Sequence, residues 1–338
     1  MSAKTYIKQA AIRRKRLIDF VTKIGIVAVL IFHYRSTDST EIAGNFQELK
    51  HSEFVTGERV SELCDVAFFT KEYMMTNPSV TLHAHQVIEV GTNLKRNACA
   101  RVTVETSRVF FTKVDWIEYF VEEVLDHIQH DFVLVTHNSD LKSGTNYKIL
   151  DHPRLRLWFG CNMVPHGRTQ GIPLGLENPD MWKRTDTHHL ANNMLRTKDK
   201  LVYVYFNTKT NEGVRRYARQ VLERNGFKYS QPTSWPQYVR TLSRHKFCIS
   251  PEGNGVDTHR MWECMYLGVI PIVVKTPALE QWFRDLPILW IDDFSQVTRN
   301  MLLEVNVDTL WNRCTSNCTI HTMTGLKHLI WKALNRTA

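Results

Sequence analysis

Residues 247–274 read FCISPEGNGVDTHRMWECMYLGVIPIVV. A short apolar run, 247–250, leads through a loop bearing Gly253 and Gly255 into a polar-headed helix. A second apolar run, 269–274, follows. This is the strand–loop–helix–strand order of a parallel α/β unit. Met261, Cys264, Met265 and Gly268 recur at i, i+3, i+4 and i+7, which predicts the buried stripe of that helix. Arg260 and Glu263 stand three apart on the neighbouring face, where a solvated surface pair is the simplest reading of the spacing.

Working outward, apolar runs alternate with helical patterns along most of the chain. Strands are expected at 66–69, 108–112, 131–136, 154–160 and 171–176, then at 201–206, 247–250, 269–274 and 288–291. Helices are expected at 115–128, with Asp115 as N-cap, and at 211–226, stopped by Gly226. Others fall at 236–246, 258–267 and 277–286. A last helix at 322–335 can pack back across the junction between the halves. Continuous apolar strands alternating with helices imply parallel sheets covered on both faces. The fold class is therefore α/β, with two Rossmann-like domains facing a central cleft. The expected divisions are a basic N-terminus and linker at 1–58, a first Rossmann-like domain at 59–190 and a second, with terminal helices, at 191–338.

Bulk composition agrees with this. The chain has 338 residues, which suits two domains of about 150 residues each. A hydrophobic fraction of 43% and an aromatic fraction of 11% exclude a disordered chain. The formal charge of +9 suits an anionic ligand such as a nucleotide, a polyanionic glycan or nucleic acid, although a solvated basic surface accounts for it equally well. No zinc-finger, helix-turn-helix or RNP-type signature accompanies the charge. The seven cysteines form no CxxC pair. Cys248 and Cys264 read as core residues, and only Cys314 and Cys318 are close enough in sequence to suggest a disulfide.

At the N-terminus Arg13-Arg14-Lys15-Arg16 precedes an apolar segment, 17–34. Its uninterrupted run, 24–32, is nine residues, against about 20 for a spanning helix, and Asp19 and Lys23 fall inside the longer segment. The expectation is a weak type II single-pass signal-anchor in a Golgi or ER membrane. A basic helix followed by a buried strand, in a cytoplasmic protein, is the alternative.

In an open parallel sheet, ligands bind beyond the carboxyl ends of the strands. Ser250 ends one strand, so the loop from Pro251 to Asp257 lies at that edge. Gly253 and Gly255 let the backbone approach a ligand. Asp257 or Thr258 can cap the next helix, whose N–H groups and dipole suit a diphosphate. Arg260 is placed to neutralise phosphate, and Glu263 to accept hydrogen bonds from ribose hydroxyls. His137 and Asp140 follow strand 131–136 on the other half, where an acceptor hydroxyl needs a base; each also fits a turn-forming loop. There is no Asp-x-Asp pair, and Asp292-Asp293 are adjacent, so no metal cofactor is expected. The helix dipole and Arg260 then stabilise the leaving diphosphate.

The same stretch resembles the donor-site segment of exostosin-like glycosyltransferases, in the compact form found in algae and large DNA viruses. The likeness rests on Phe247, Pro251, Gly253, Gly255, Asp257, Thr258, His259, Arg260, Trp262, Glu263, Gly268 and Pro271. Weaker likeness in FVLVTHNSD, WFGCN, GIPLGLEN and YFNTKTNEGVRR extends it over roughly residues 59–300. The resemblance implies a GT-B architecture and inverting transfer of a sugar from a nucleotide-diphosphate donor, UDP-linked in preference, to a glycan or glycoprotein hydroxyl. It implies that Arg260 and Glu263 bind diphosphate and ribose, that Asn207 and Arg215 contact phosphate or base, and that Asp140 is the general base. The donor set becomes Asn207, Arg215, Ser250, Glu252, Gly253, Gly255, Asp257, Thr258, His259, Arg260 and Glu263. Glu252 departs from the basic or neutral residue of many relatives. Competing readings are a fucosyltransferase-like enzyme using a GDP-sugar and a non-enzymatic basic binder of glycosaminoglycan or nucleic acid.

Overall fold

A computed structural model describes residues 49–76, 85–178, 187–194, 196–231, 233–314 and 318–335. These belong to one compact unit, residues 43–338. The described residues hold two sheets, both wholly parallel. The first has six strands: β1 (Val66–Phe69), β2 (Val87–Glu89), β3 (Val109–Thr112), β4 (Phe132–Thr136), β5 (Leu155–Gly160) and β6 (Thr169–Gly171), in the order β2-β1-β3-β4-β5-β6. β1, β3 and β4 are buried at every position, so both faces need apolar cover. Phe68, Phe110 and Phe132 pack on Phe120 and Val124 on one face. On the other, Phe69, Phe111 and Val133 share a core with Leu326, Ile330 and Ala333 of the terminal helix, Met323–Leu334. The end of the chain thus returns to cover the first sheet.

The second sheet has β7 (Lys200–Tyr203), β8 (His245–Ile249), β9 (Ile270–Val274) and β10 (Leu289–Ile291), in the order β10-β9-β8-β7. The Glu212–Arg224 helix places Ala218 and Leu222 against Phe247 and Ile249 on one face. The Trp235–Leu242 and His259–Tyr266 helices place Val239, Leu242, Met261 and Met265 against Tyr203 and Cys248 on the other. The chain therefore changes face between β7 and β8. Between those helices it passes beside β7, where Ser230 N donates to Val204 O at 2.8 Å. The carboxyl ends of β7 and β8 lie side by side, at the end of the parallel sheet beyond which ligands of such sheets bind.

Several elements depart from expectation. Residues 114–127 are helical, but the path runs through a 3-10 turn (Val114–Trp116), an α turn (Ile117–Tyr119), a π turn (Phe120–Val124) and a closing 3-10 turn (Leu125–His127). Asp115 does not cap it and instead pairs with Lys113 at 3.6 Å. The expected strand 171–176 forms ladder only to Gly171, because the main chain beyond it bonds elsewhere: Leu176 N donates to Val55 O, and Leu174 and Gly175 bond to the second half of the chain. The predicted stripe of the His259–Tyr266 helix is too narrow. Every residue from Met261 to Tyr266 is buried, since the helix lies between the second sheet and residues of the first half such as Phe54 and Leu174. Tyr266 seals that seam, accepting from Val55 N at 3.1 Å and donating to His321 O at 2.8 Å.

The expected single-pass anchor is corrected. No helix among the described residues is long and apolar enough to cross a membrane, in keeping with the short run of 24–32 and its flanking charges. Residues 17–34 themselves lie outside the described residues. Cys314 is disulfide-bonded, while the side chain of Cys318 lies outside the described ones.

Candidate functional site

Two loops, 204–211 and 250–258, rise from the carboxyl ends of β7 and β8, and two arginines lie between them. Arg215 donates Nε to Glu252 O (2.8 Å), Nη1 to Asn207 O (3.0 Å) and Nη2 to Pro251 O (3.4 Å). Arg260 donates Nη1 to Tyr205 O at 2.6 Å. Its guanidinium lies 4.8 Å from the centre of the Tyr238 ring and 6.0 Å from that of Tyr203. Main-chain carbonyls fix both groups without neutralising them, and Glu263, 3.5 Å from Arg260 Nε, supplies Arg260 with a counter-charge. Burial, and then the nearby Arg260 charge, hold Arg215 below its usual pKa. Two half-buried cations side by side repel, and an anion bridging them relieves that repulsion.

Glu263 sits one turn deeper, 8% exposed. Tyr238 donates its hydroxyl to Glu263 Oε2 at 2.5 Å, and Arg260 Nε lies 3.5 Å from the same oxygen. The surface-pair reading of Arg260 and Glu263 is thus corrected: aromatic rings enclose the pair. Burial raises the Tyr238 pKa, which keeps its hydroxyl a donor. Sequence reasoning missed Tyr238. Its only signal was an apolar position in a helical pattern, which says nothing about where its hydroxyl points.

Gly253 and Gly255 have different reasons for being glycine. A Cβ on Gly253 would stand 3.2 Å from Arg215 Nη2, so this glycine admits the arginine. A Cβ on Gly255 would stand 2.6 Å from Asn162 Nδ2, a side chain of the first half. Asp257 also faces that half. Its Oδ2 accepts from Leu174 N and its Oδ1 from Trp262 Nε1, both at 2.7 Å, while its own N–H donates to Asn162 Oδ1 at 3.0 Å. His259 Nδ1 donates to Gly175 O at 2.8 Å. Thr258 occupies the N-cap position without a side-chain cap bond, and its hydroxyl meets Ser250 Oγ at 3.3 Å. The expected capping by Asp257 or Thr258 is therefore corrected. Asp257, His259 and Gly255 join the loop to the first half, because the polar groups of two facing chain segments satisfy each other there.

The remaining candidates border this core. Asn211, in the left-handed region at φ 52°, donates Nδ2 to Glu252 Oε1 (3.2 Å) and to Gly253 O (2.9 Å). Asn207 is exposed, and its Oδ1 accepts from Lys209 N at 3.0 Å. From the first sheet, Asp140 Oδ2 accepts from Asn254 Nδ2 at 3.1 Å, so the loop after β4 meets the loop after β8. His137 behaves otherwise. It is buried, donates Nε2–H to Pro173 O at 2.9 Å and accepts from Asn138 N at Nδ1 at 2.8 Å. Burial lowers its pKa, and with both nitrogens engaged it anchors the loop; the candidate-base reading is corrected. Asp292 pairs with Lys275 at 3.0 Å, and Asp293 accepts from Tyr217 Oη and Ser295 N.

No family profile and no curated protein match the sequence. Among solved structures, an alpha-glucosyltransferase in complex with UDP-glucose and DNA containing an abasic site is similar at 9% identity and a TM-score of 0.27, over 80% of this chain and 94% of that one. So slight a likeness bears no weight for fold or activity.

Proposed function

We propose that the chain is a GT-B-type glycosyltransferase that moves a sugar from a nucleotide-diphosphate donor, UDP-linked in preference, to a glycan hydroxyl with inversion and without a metal ion. In this reading the acceptor-side and donor-side domains meet near residue 190. The observation that carries it is the pair Arg215–Arg260 between two loops at the carboxyl ends of β7 and β8, with Asp140, after β4 of the other sheet, reaching the second of those loops. The two guanidiniums take the diphosphate and stabilise the charge that grows on it as the glycosidic bond breaks. Glu263 makes both of its contacts through Oε2, and Oε1 is the oxygen offered to ribose hydroxyls. Asp140, exposed at the facing loop, takes the acceptor proton. The metal-free part rests on the sequence, which has no Asp-x-Asp pair, and on the arginines filling the electrostatic role.

Thermal unfolding with UDP or GDP tests the donor site. A nucleotide at 100 times its Kd adds about 2.7 kcal/mol of stability, so UDP should raise Tm clearly and GDP less. Arg260→Ala should abolish the rise. If neither nucleotide protects the protein, the reading fails. Transfer assayed in EDTA should continue at an undiminished rate; complete loss restored by Mn²⁺ refutes the metal-free part alone.

A further inference from the structure

Beside the donor loop, at the carboxyl ends of β9 and β10, lies a cavity of about 540 Å³. That size falls within the roughly 300–1,000 Å³ of small-molecule sites. Val256, Val273, Leu279 and Phe294 form an apolar wall. Glu252 and Asp293 line it with carboxylates, and among the described residues the lining holds no lysine, arginine or histidine. Tyr217 and Asn211 fix one oxygen of each carboxylate: Tyr217 Oη donates to Asp293 Oδ1 at 2.9 Å, and Asn211 Nδ2 to Glu252 Oε1 at 3.2 Å.

Glu252 connects this cavity to the arginine pair. Its carbonyl oxygen accepts from Arg215 Nε at 2.8 Å, while the residue also lines the cavity, its Oε1 held by Asn211 of the same lining. A group joined to a phosphate held by Arg215 is therefore one residue away. Resting on the glycosyltransferase reading, we infer that the cavity seats the transferred sugar and selects a neutral pyranose over a uronic acid. The apolar wall suits the C–H face of a pyranose ring, and acceptor-only carboxylates suit its hydroxyls. A sugar carboxylate there would face two like charges with no cation in the described lining of the cavity, which is a repulsive element against the wrong substrate. This also accounts for a glutamate in a loop that approaches a diphosphate: it points at the sugar.

The test is isothermal titration of the full chain with UDP, UDP-glucose, UDP-galactose, UDP-glucuronate and UDP-galacturonate. Each uronate should bind at least about tenfold more weakly than its neutral parent. Glu252→Gln and Asp293→Asn should each narrow that gap, read within each variant as the ratio of the uronate Kd to the Kd of its neutral parent. If UDP binds but either uronate matches its neutral parent, or neither variant narrows the gap, the inference is overturned and the functional reading stands. If neither UDP nor any UDP-sugar binds, both fall together.

Discussion

Replacing Glu263 with glutamine should lower kcat/KM at sub-saturating donor by roughly 10- to 150-fold, the value of a charge-assisted hydrogen bond of about 1.5–3 kcal/mol. Glutamine keeps the shape and still accepts from the Tyr238 hydroxyl. It removes the charge that holds Arg260 Nε at 3.5 Å and that strengthens any bond from Oε1 to a ribose hydroxyl. Burial of the site means the change also costs stability, about 1–3 kcal/mol in urea denaturation. Tyr238→Phe separates the two effects. It leaves the Glu263–Arg260 pair charged and deletes the 2.5 Å bond that orients it, so kcat/KM should fall about 5- to 10-fold with a folded protein. Glu280→Gln, at an exposed position of the Pro277–Phe283 helix, should match wild type. Wild-type kcat/KM in both Glu263→Gln and Tyr238→Phe would remove this helix from the donor site.

What the sequence made legible follows from periodicity. β1, β3, β4 and β9 announce themselves because they are apolar on both faces, and such runs have few alternatives. Arg260 was singled out because a basic residue in the first turn after a strand and loop lands at the sheet edge, whereas Arg215 was singled out by the resemblance alone. Contacts across large sequence separations were not legible. Asn162 meets Asp257 across 95 positions, and Leu174 meets it across 83. A polar residue beside a glycine looks the same whether its partner is a ligand or another segment of chain. Asp257 and His259 therefore read as donor ligands although their side chains bind residues 174 and 175. His137 misled for the same reason: a histidine after a strand suggests a base, and only the fold shows Pro173 O occupying its Nε2. β2 escaped detection because three residues, one of them buried, give no pattern to count.

Asp257 sets up a pH dependence of stability with an unusual sign. Burial pushes its pKa up to about 7, against the N–H bonds from Leu174 and Trp262 that favour the ionised form. In the unfolded chain the group titrates near 3.8. Between those values the folded protein binds the proton more tightly than the unfolded one does. The contribution is therefore fully present below about pH 4, declines as pH rises through the folded pKa, and is flat above it. A shift of about three units corresponds to about 4 kcal/mol. Asp257→Asn has no titration at this position, so it serves as the reference. Asparagine also turns an amide donor toward one of two buried N–H groups, at a cost of about 1–3 kcal/mol. In urea titrations from pH 4 to pH 8, wild type should exceed the variant by about 1–3 kcal/mol at the acid end, and the difference should fall by up to about 4 kcal/mol, so that it closes and reverses as pH rises. A constant gap would mean that the N–H bonds cancel the burial cost. A gap that widens with pH would mean that those bonds dominate, and that the link between the two halves of the chain strengthens as Asp257 ionises.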